Sequence, residues 1–293
     1  MEGEKMPKIT ANVYVEGNYR VLPKNTGGNR GFVTTSDGIV MIDTPMQPKD
    51  AVKFRDKIAQ KGELRYLINT HHHLDHTSGN YFFDAPIVSH IGVREMFYSP
   101  LEKFLPFTKP EGVTSIADII RRRTRELDPK SLPLVRQYKV KAPTITFTEQ
   151  LTLHVGKHTF ELYHLPGHTE SHIGVYIPEE KVFFVGDNLT SGVQPSLAQA
   201  SPLDWIKSIK RIEDTDVDYI VPGHGKVSGK KELREFASFI QKCINIVEKA
   251  IEKGMSKEEA MDKLSFEEFY PAIHGGPEMQ RMNVARLYDK LSK

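Results

Sequence analysis

The stretch NTHHHLDHTSGN, Asn69 to Asn80, places four histidines and an aspartate within six positions. Imidazole and carboxylate together suit divalent transition metals. His71 and His73 are two residues apart. On an extended or looping segment alternate side chains point the same way. Both can therefore reach one ion, while His72 points elsewhere. Asp75 and His76 follow where DHTSGN reads as a helix start, with Asp75 near the capping position. They face another direction, so the spacing suits two adjacent ions rather than one.

Such a cluster needs partners from elsewhere in the chain. Three segments each expose a metal-capable side chain at a strand end beside a glycine. LYHLPGHTESH presents His168, FFVGDN presents Asp187 and YIVPGHG presents His224. Layered α/β folds favour such strand ends for their sites.

The elements that must position these residues follow from the pattern. NVYVEGNYRVL alternates apolar and polar residues, as a half-buried strand does. RGFVTTSDGIVMIDTP reads as a hairpin turning at Asp37-Gly38. Lys49 to Lys61 reads as a helix, and LRYLINT as a short strand ending at Thr70, where the histidines begin. APIVSH is the next strand, up to His90. Residues 92–142 read as an irregular, mostly helical insert. Within it Ile116, Ile119, Ile120, Thr124 and Leu127 fall at helical spacing, with Arg121, Arg122, Arg123 and Arg125 on the remaining faces. A solvated basic face is expected there; a lid whose arginines attract an anionic substrate is the alternative.

From Ile145 strands return in TITFTEQLTLHVG, HTFELYHLPG, IGVYIP and KVFFVGDN, then a helix near Pro202 to Glu213 and the strand DYIVPG. Lys230 to Glu252 is a long amphipathic helix with Leu233, Phe236, Ile240, Ile244, Val247 and Ile251 on one stripe. Ser256 with Glu259, and Ser265 with Glu268, fit capping boxes, and a last helix runs from about Pro277. The two halves look alike in plan. The expected fold class is α/β, two face-to-face sheets with helices outside in a four-layer αβ/βα sandwich. Residues 1–229 form the catalytic domain with its insert, and 230–293 a C-terminal helical extension packed on it. The extension's apolar stripe favours a homodimer over a monomer.

The 293 residues, 39% hydrophobic and 27% charged, describe a globular protein with a substantial core. A net charge of +2 gives no global attraction to nucleic acid or anionic membrane. The single cysteine, Cys243, excludes an internal disulfide and reads as a helical core residue. The charged N-terminus does not resemble a signal peptide, and no stretch reaches the roughly 20 apolar residues of a membrane span. A cytoplasmic location is expected.

H-x-H-x-D-H, then G-H-T, G-D and P-G-H-G, in this order, resembles the metallo-β-lactamase-fold superfamily. GIVMIDTP also matches its aspartate-bearing strand. The likeness runs from Asp43 to His224 and leaves the insert and the tail uncovered. It implies that His71, His73 and His168 hold one metal, that Asp75, His76 and His224 hold a second, and that Asp187 bridges them. Asp43 would hold the metal loop from behind. Two zinc ions are expected, and the ligand set also admits iron or manganese. Two ions about 3.5 Å apart would share a hydroxide that attacks a carbonyl carbon or a phosphorus. Asp75 would orient that nucleophile and pass a proton to the leaving group.

Of the other histidines, His72 is expected beside the site rather than on a metal, and His172 to hold the loop. His154, His158 and His164 read as surface or hydrogen-bonded residues, His90 is ambiguous, and His274 reads as lying outside the pocket. Asp187 stands where true β-lactamases usually carry cysteine or serine, which resembles the glyoxalase II, lactonase and phosphotriesterase-like branches. The expected activity is hydrolysis of a small ester, thioester or lactone, with scope for promiscuous cleavage of phosphoesters or β-lactams. The alternative is a mononuclear iron oxidoreductase resembling persulfide dioxygenases. A non-catalytic scaffold ranks last, because none of the seven ligands is missing.

Overall fold

The computed structural model describes residues 8–17, 27–105, 112–192, 194–269 and 276–292. Strand β1 (Val13–Glu16) pairs antiparallel with β2 (Arg30–Thr35), which turns at Ser36 and Asp37 into β3 (Gly38–Ile42). Helix α1 (Pro48–Ala59) buries Ala51, Phe54 and Ile58, spaced three and four apart, against the outer face of this sheet. Strand β4 (Leu64–Ile68) runs parallel to β3. The short helix α2 (Leu74–Thr77) starts inside the histidine cluster, and β5 (Ile87–His90) returns parallel to β4.

The insert then forms α3 (Ile91–Phe97), α4 (Leu101–Phe104), α5 (Ile116–Leu127) and α6 (Leu132–Val135). The Ser115 hydroxyl caps α5 by accepting from Asp118 N–H. Ile116, Ile119 and Ile120 of α5 pack with Phe104, Val135, Tyr138 and Leu74 of α2, so the insert rests on the histidine segment. Arg121 pairs with Asp118 at 2.9 Å and Arg122 with Glu126 at 2.9 Å, as on a solvated basic face. Leu127 departs from its expected place on the buried stripe. It is 52% exposed, because the helix ends there and the chain turns away at Asp128.

Strand β6 (Ile145–Phe147) completes a six-stranded sheet in the order β1-β2-β3-β4-β5-β6. The stretch TITFTEQLTLHVG serves both sheets, because β7 (Gln150–Val155) begins the second. Strands β8 (His158–His164), β9 (Ile173–Ile177) and β10 (Val182–Thr190) follow as antiparallel neighbours. Helix α7 (Pro202–Asp214) then carries the chain over to β11 (Tyr219–His224), which lies parallel to β10. The order is β11-β10-β9-β8-β7.

The sheets meet through Val13, Val33, Val40 and Ile68 on one side and Phe160, Leu162, Val175 and Val182 on the other. Helix α8 (Lys230–Glu252), α9 (Lys257–Lys263) and α10 (Gly276–Leu291) join α7 over the outer face of the second sheet. The expected four layers are present. The α8 stripe is covered within the chain: Leu233, Phe236, Ile240 and Val247 pack with Trp205, Ile209, Val284 and Leu287. At about 1.5–3 kcal/mol per fully buried large apolar side chain, that packing makes the tail integral to the fold. Cys243 is buried in the same layer.

Ser256 and Glu259 form their capping box at the start of α9. Ser265 and Glu268 do not: the Ser265 hydroxyl accepts from Glu267 N–H, and no helix starts there among the described residues. Local sequence offers a cap, but Pro271 follows Glu268 by three residues and is incompatible with a helix interior there. His274 lies outside the described residues.

Candidate metal centre

Strands β3 and β4 are parallel, so Asp43 and the segment from Thr70 leave the first sheet at the same edge. Strand β10 brings Asp187 to the second sheet, β11 ends at His224, and the loop after β8 carries His168. The edges adjoin, and seven side chains converge in two groups. His71, His73, His168 and Asp187 form one; Asp75, His76 and His224 form the other; in each, the ligand atoms lie within 4.8 Å of one another. Every residue expected as a ligand is in one of the two.

Asp187 stands between them. Its Oδ2 is 3.4 Å from His168 Nε2 and 3.9 Å from His71 Nε2. Its Oδ1 is 3.1 Å from His76 Nε2, and Oδ2 is 3.5 Å from His224 Nε2. The rest of the contacts are as close, with His73 Nδ1 3.0 Å from His168 Nε2 and Asp75 Oδ2 3.1 Å from His224 Nε2. Asp187 reaches this place through an irregularity in β10. The register with β11 shifts on either side of Gly186, whose φ is +47°, a conformation natural to glycine. A Cβ there would meet Thr70 Oγ1 and His172 Nε2 at 2.7 Å.

A frame behind the site decides which ring nitrogens face inward. Asp43 is buried at φ 56°. Its carboxylate accepts from Thr70 N–H at 2.8 Å, Thr70 Oγ1–H at 2.7 Å and His76 Nδ1–H at 2.9 Å. The Thr70 hydroxyl, its proton given to Asp43, is left to accept from His71 Nδ1–H at 3.1 Å. Nε2 of His71 and of His76 is therefore the nitrogen that faces the other ligand atoms. These two atoms and Asp187 Oδ1 are buried and have no hydrogen-bond partner. Orphaned buried groups of this kind cost about 1–3 kcal/mol each. Their convergence, with nitrogen and carboxylate donors and no thiolate, fits divalent cations such as zinc.

The electrostatics divide the groups. Burial, with the neighbouring His76, pushes His71 well below the ordinary imidazole value, and burial pushes His168 down to about 3. Burial opposes charge on His76 and His224 too, but carboxylates prevail. Asp187, Asp75 and Asp43 raise His76 well above its usual value, and Asp187 and Asp75 raise His224 to about 10. In return these imidazoles hold Asp75 and Asp187 below the ordinary carboxylate range against their burial. Burial thus favours the neutral form of His71 and His168, while the carboxylates favour protons on His76 and His224, where a metal would place positive charge.

His72 and His172 lie beside the ligand groups and in neither. His72 is buried, edge-on to Phe104 at 5.5 Å. His172 stacks on His71 at 5.0 Å. His90 stacks on His164 at 4.2 Å, and His158 pairs with Glu180 at 2.9 Å, both apart from the ligand groups. Asn188 follows Asp187 and accepts from His168 N–H at 3.0 Å, donates to Leu165 O at 2.7 Å and receives Trp205 Nε1–H on its carbonyl at 3.1 Å. Its place in G-D-N was a usable signal. Gln199 bonds His72 and His73, and no motif announces it.

The sequence matches the model of the family described as the metallo-beta-lactamase superfamily over residues 24–224. It is 27% identical over 229 residues to a metallo-beta-lactamase type 2 of Elizabethkingia meningoseptica, covering 75% of this chain and 78% of that protein. It is also 27% identical over 231 residues to a Homo sapiens acyl-coenzyme A thioesterase, covering 72% and 78%. A metallo-beta-lactamase from Pontibacter korlensis superposes with a TM-score of 0.57 at 20% identity, over 81% of this chain and 98% of that one, a likeness of fold. On the family match and the two ligand groups it spans, the chain belongs to the metallo-beta-lactamase superfamily and is one of its metal-dependent hydrolases.

Proposed function

We propose that the two groups hold two divalent ions, with zinc the best fit, and that the chain hydrolyses a small acyl substrate: a thioester, an ester or a lactone. The observation that carries this reading is the position of Asp187, one carboxylate within 3.9 Å of imidazoles from both groups. His71, His73 and His168 would hold one ion and Asp75, His76 and His224 the other. When bound, such ions lower the pKa of water toward neutrality and polarise a substrate carbonyl.

The chain's own residues supply orientation and proton handling. Asp75 and His224 have side chains 26% and 28% exposed and His73 is also partly open, whereas His71, His76, His168 and Asp187 are buried. Substrate would approach from the side of the open residues. Asp75, held ionised by His76 and His224, accepts a hydrogen bond from the attacking water and can hold a proton on its way to the leaving group. The buried frame of Asp43, Thr70 and Asn188 keeps the rings in place throughout. Cys243 lies in the α8 core, where burial raises its thiol pKa, so it offers no nucleophile.

The acyl class is supported by the relatives, which are named for β-lactams and for acyl-coenzyme A thioesters. A carboxylate at position 187, where the lactamase pattern usually has cysteine or serine, supports thioesters and lactones over β-lactams. The test is a panel of acyl-coenzyme A thioesters, glutathione thioesters, lactones and a chromogenic β-lactam, run with chelated and zinc-reloaded protein. Hydrolysis of a thioester or lactone, lost on chelation and restored by zinc, is expected. Chelator-insensitive cleavage would overturn the reading. Oxygen uptake with a persulfide and no hydrolysis would replace it with an iron oxidoreductase.

A further inference from the structure

We infer that Gln199 is the positioning residue that fixes the ring and tautomer of His73, and that the C-terminal helix α10 holds Gln199 in place. The inference rests on the reading of His73 as a metal ligand. Three of the five imidazoles have a partner on the nitrogen that turns away from the ligand groups, and that partner decides which nitrogen keeps the lone pair. Thr70 serves His71 and Asp43 serves His76. For His73 the partner comes from a loop remote in sequence: Gln199 Oε1 is 2.6 Å from its Nε2.

The geometry decides the direction of this bond. The Gln199 amide nitrogen donates to Lys103 O at 3.1 Å, which turns its oxygen toward the rings. Oε1 is an acceptor only, so His73 Nε2–H donates to it. Nδ1, the atom 3.0 Å from His168 Nε2, then keeps the lone pair on the metal side. His72 Nε2–H gives a second bond to the same oxygen at 3.2 Å, using its other lone pair. Gln199 thus ties the insert, through Lys103, to the metal loop.

The loop that carries Gln199 is held by one face of α10. Gln280, Asn283 and Arg286 are three residues apart and share that face. Gln280 bonds Gln194. Asn283 Oδ1 accepts from Leu197 N–H at 2.7 Å, and its amide donates to Pro195 O at 3.3 Å. Arg286 donates to Ala200 O at 2.8 Å and Gln199 O at 3.4 Å. Asn283 is fully buried and Gln280 nearly so, a polar stripe with no purpose in a helix that only covers a core. Arg286 and Lys290 also reach Glu170, in the loop that bears His168. The tail helix therefore braces the loops that bear Gln199 and His168 as well as forming an outer layer.

The test is cobalt(II) loading of the full chain, followed by chelator competition and by the visible absorption band. Wild type is compared with Gln199→Leu, Gln199→Glu, Arg286→Met and the Leu-Met double variant, with circular dichroism confirming the fold. Gln199→Leu should lower cobalt affinity on the order of 10–100-fold and shift the band, since an outer partner of a ligating histidine is removed. Gln199→Glu keeps the acceptor and should retain affinity within a few-fold of wild type. Arg286→Met should shift the band in the same direction by less, and should add nothing to Gln199→Leu. Unchanged affinity and band in Gln199→Leu would overturn the role of Gln199, as would equal damage from Leu and Glu. Full additivity of Arg286→Met would overturn the part given to α10. A wild-type chain that binds no cobalt would instead overturn the metal reading, and this inference with it.

Discussion

Asp187 Oδ1 lies 3.1 Å from His76 Nε2, while the second oxygen of the same carboxylate is turned toward His168, 3.4 Å away. The two histidines belong to different ligand groups, so one side chain faces both. Removing it should affect both groups at once. Asp187→Ala is expected to lower metal affinity by more than the roughly 10–100-fold typical of an outer partner, and to abolish hydrolysis while the fold persists. Metal content after dialysis, with circular dichroism as control, checks this. Full activity in the variant would remove the bridging assignment.

Asp43 sits at φ 56° with three hydrogen bonds into its carboxylate. Asparagine tolerates that backbone region, so Asp43→Asn isolates the chemistry from the strain. The amide offers one acceptor oxygen in place of two, and His76 Nδ1 or Thr70 loses its partner. The expected result is a loss of about 1–3 kcal/mol in stability and weaker metal retention, read by denaturant titration and chelator competition.

Gly28 is a close approach to the site. A Cβ there would meet His76 Cε1 at 2.2 Å. Gly28→Ala should displace that ring, lower metal occupancy and cost about 1–3 kcal/mol by overpacking. An alanine variant with wild-type metal content and melting temperature would show that the ring has room to move.

His72 should be dispensable for metal. It lies against Phe104 with Nε2 on Gln199, and is in neither ligand group. His72→Ala is expected to keep full metal stoichiometry while losing stability, since it empties a buried site. Loss of one metal equivalent would mean that the first ligand pair is misassigned.

Metal uptake should release protons. In the metal-free chain the surrounding carboxylates raise His76 well above its ordinary value and His224 to about 10, which favours the protonated form of each. A group with a raised pKa holds its proton below that value, and an incoming cation must displace it. Metal affinity should therefore rise with pH across the neutral range. Titration calorimetry at pH 7 in buffers of different ionisation enthalpy should detect that release, reduced when both His76 and His224 are replaced by Gln.

The candidate ligands were legible in the sequence because chemistry restricts them to a few residue types. His71, His73, Asp75 and His76 crowd into one segment that follows a strand, and His168, Asp187 and His224 stand at strand ends beside glycines, where a polar side chain has no packing role to explain it. The α8 stripe was legible through its period. Gln199 was not, because its role exists only once α10 is docked, and A-Q-A-S carries no local signal. Ser265 and Glu268 show the converse, a capping signal with a proline too close behind it for a helix to extend. Leu127 kept the helical period but fell past the packed part of α5.

The most direct measurement is elemental analysis of the full-length protein, purified without added metal, beside Asp187→Ala. The account predicts two equivalents of divalent metal per chain, zinc foremost, and a marked loss in the variant. One equivalent of iron, or a metal content that Asp187→Ala leaves unchanged, would contradict a site built on a shared carboxylate.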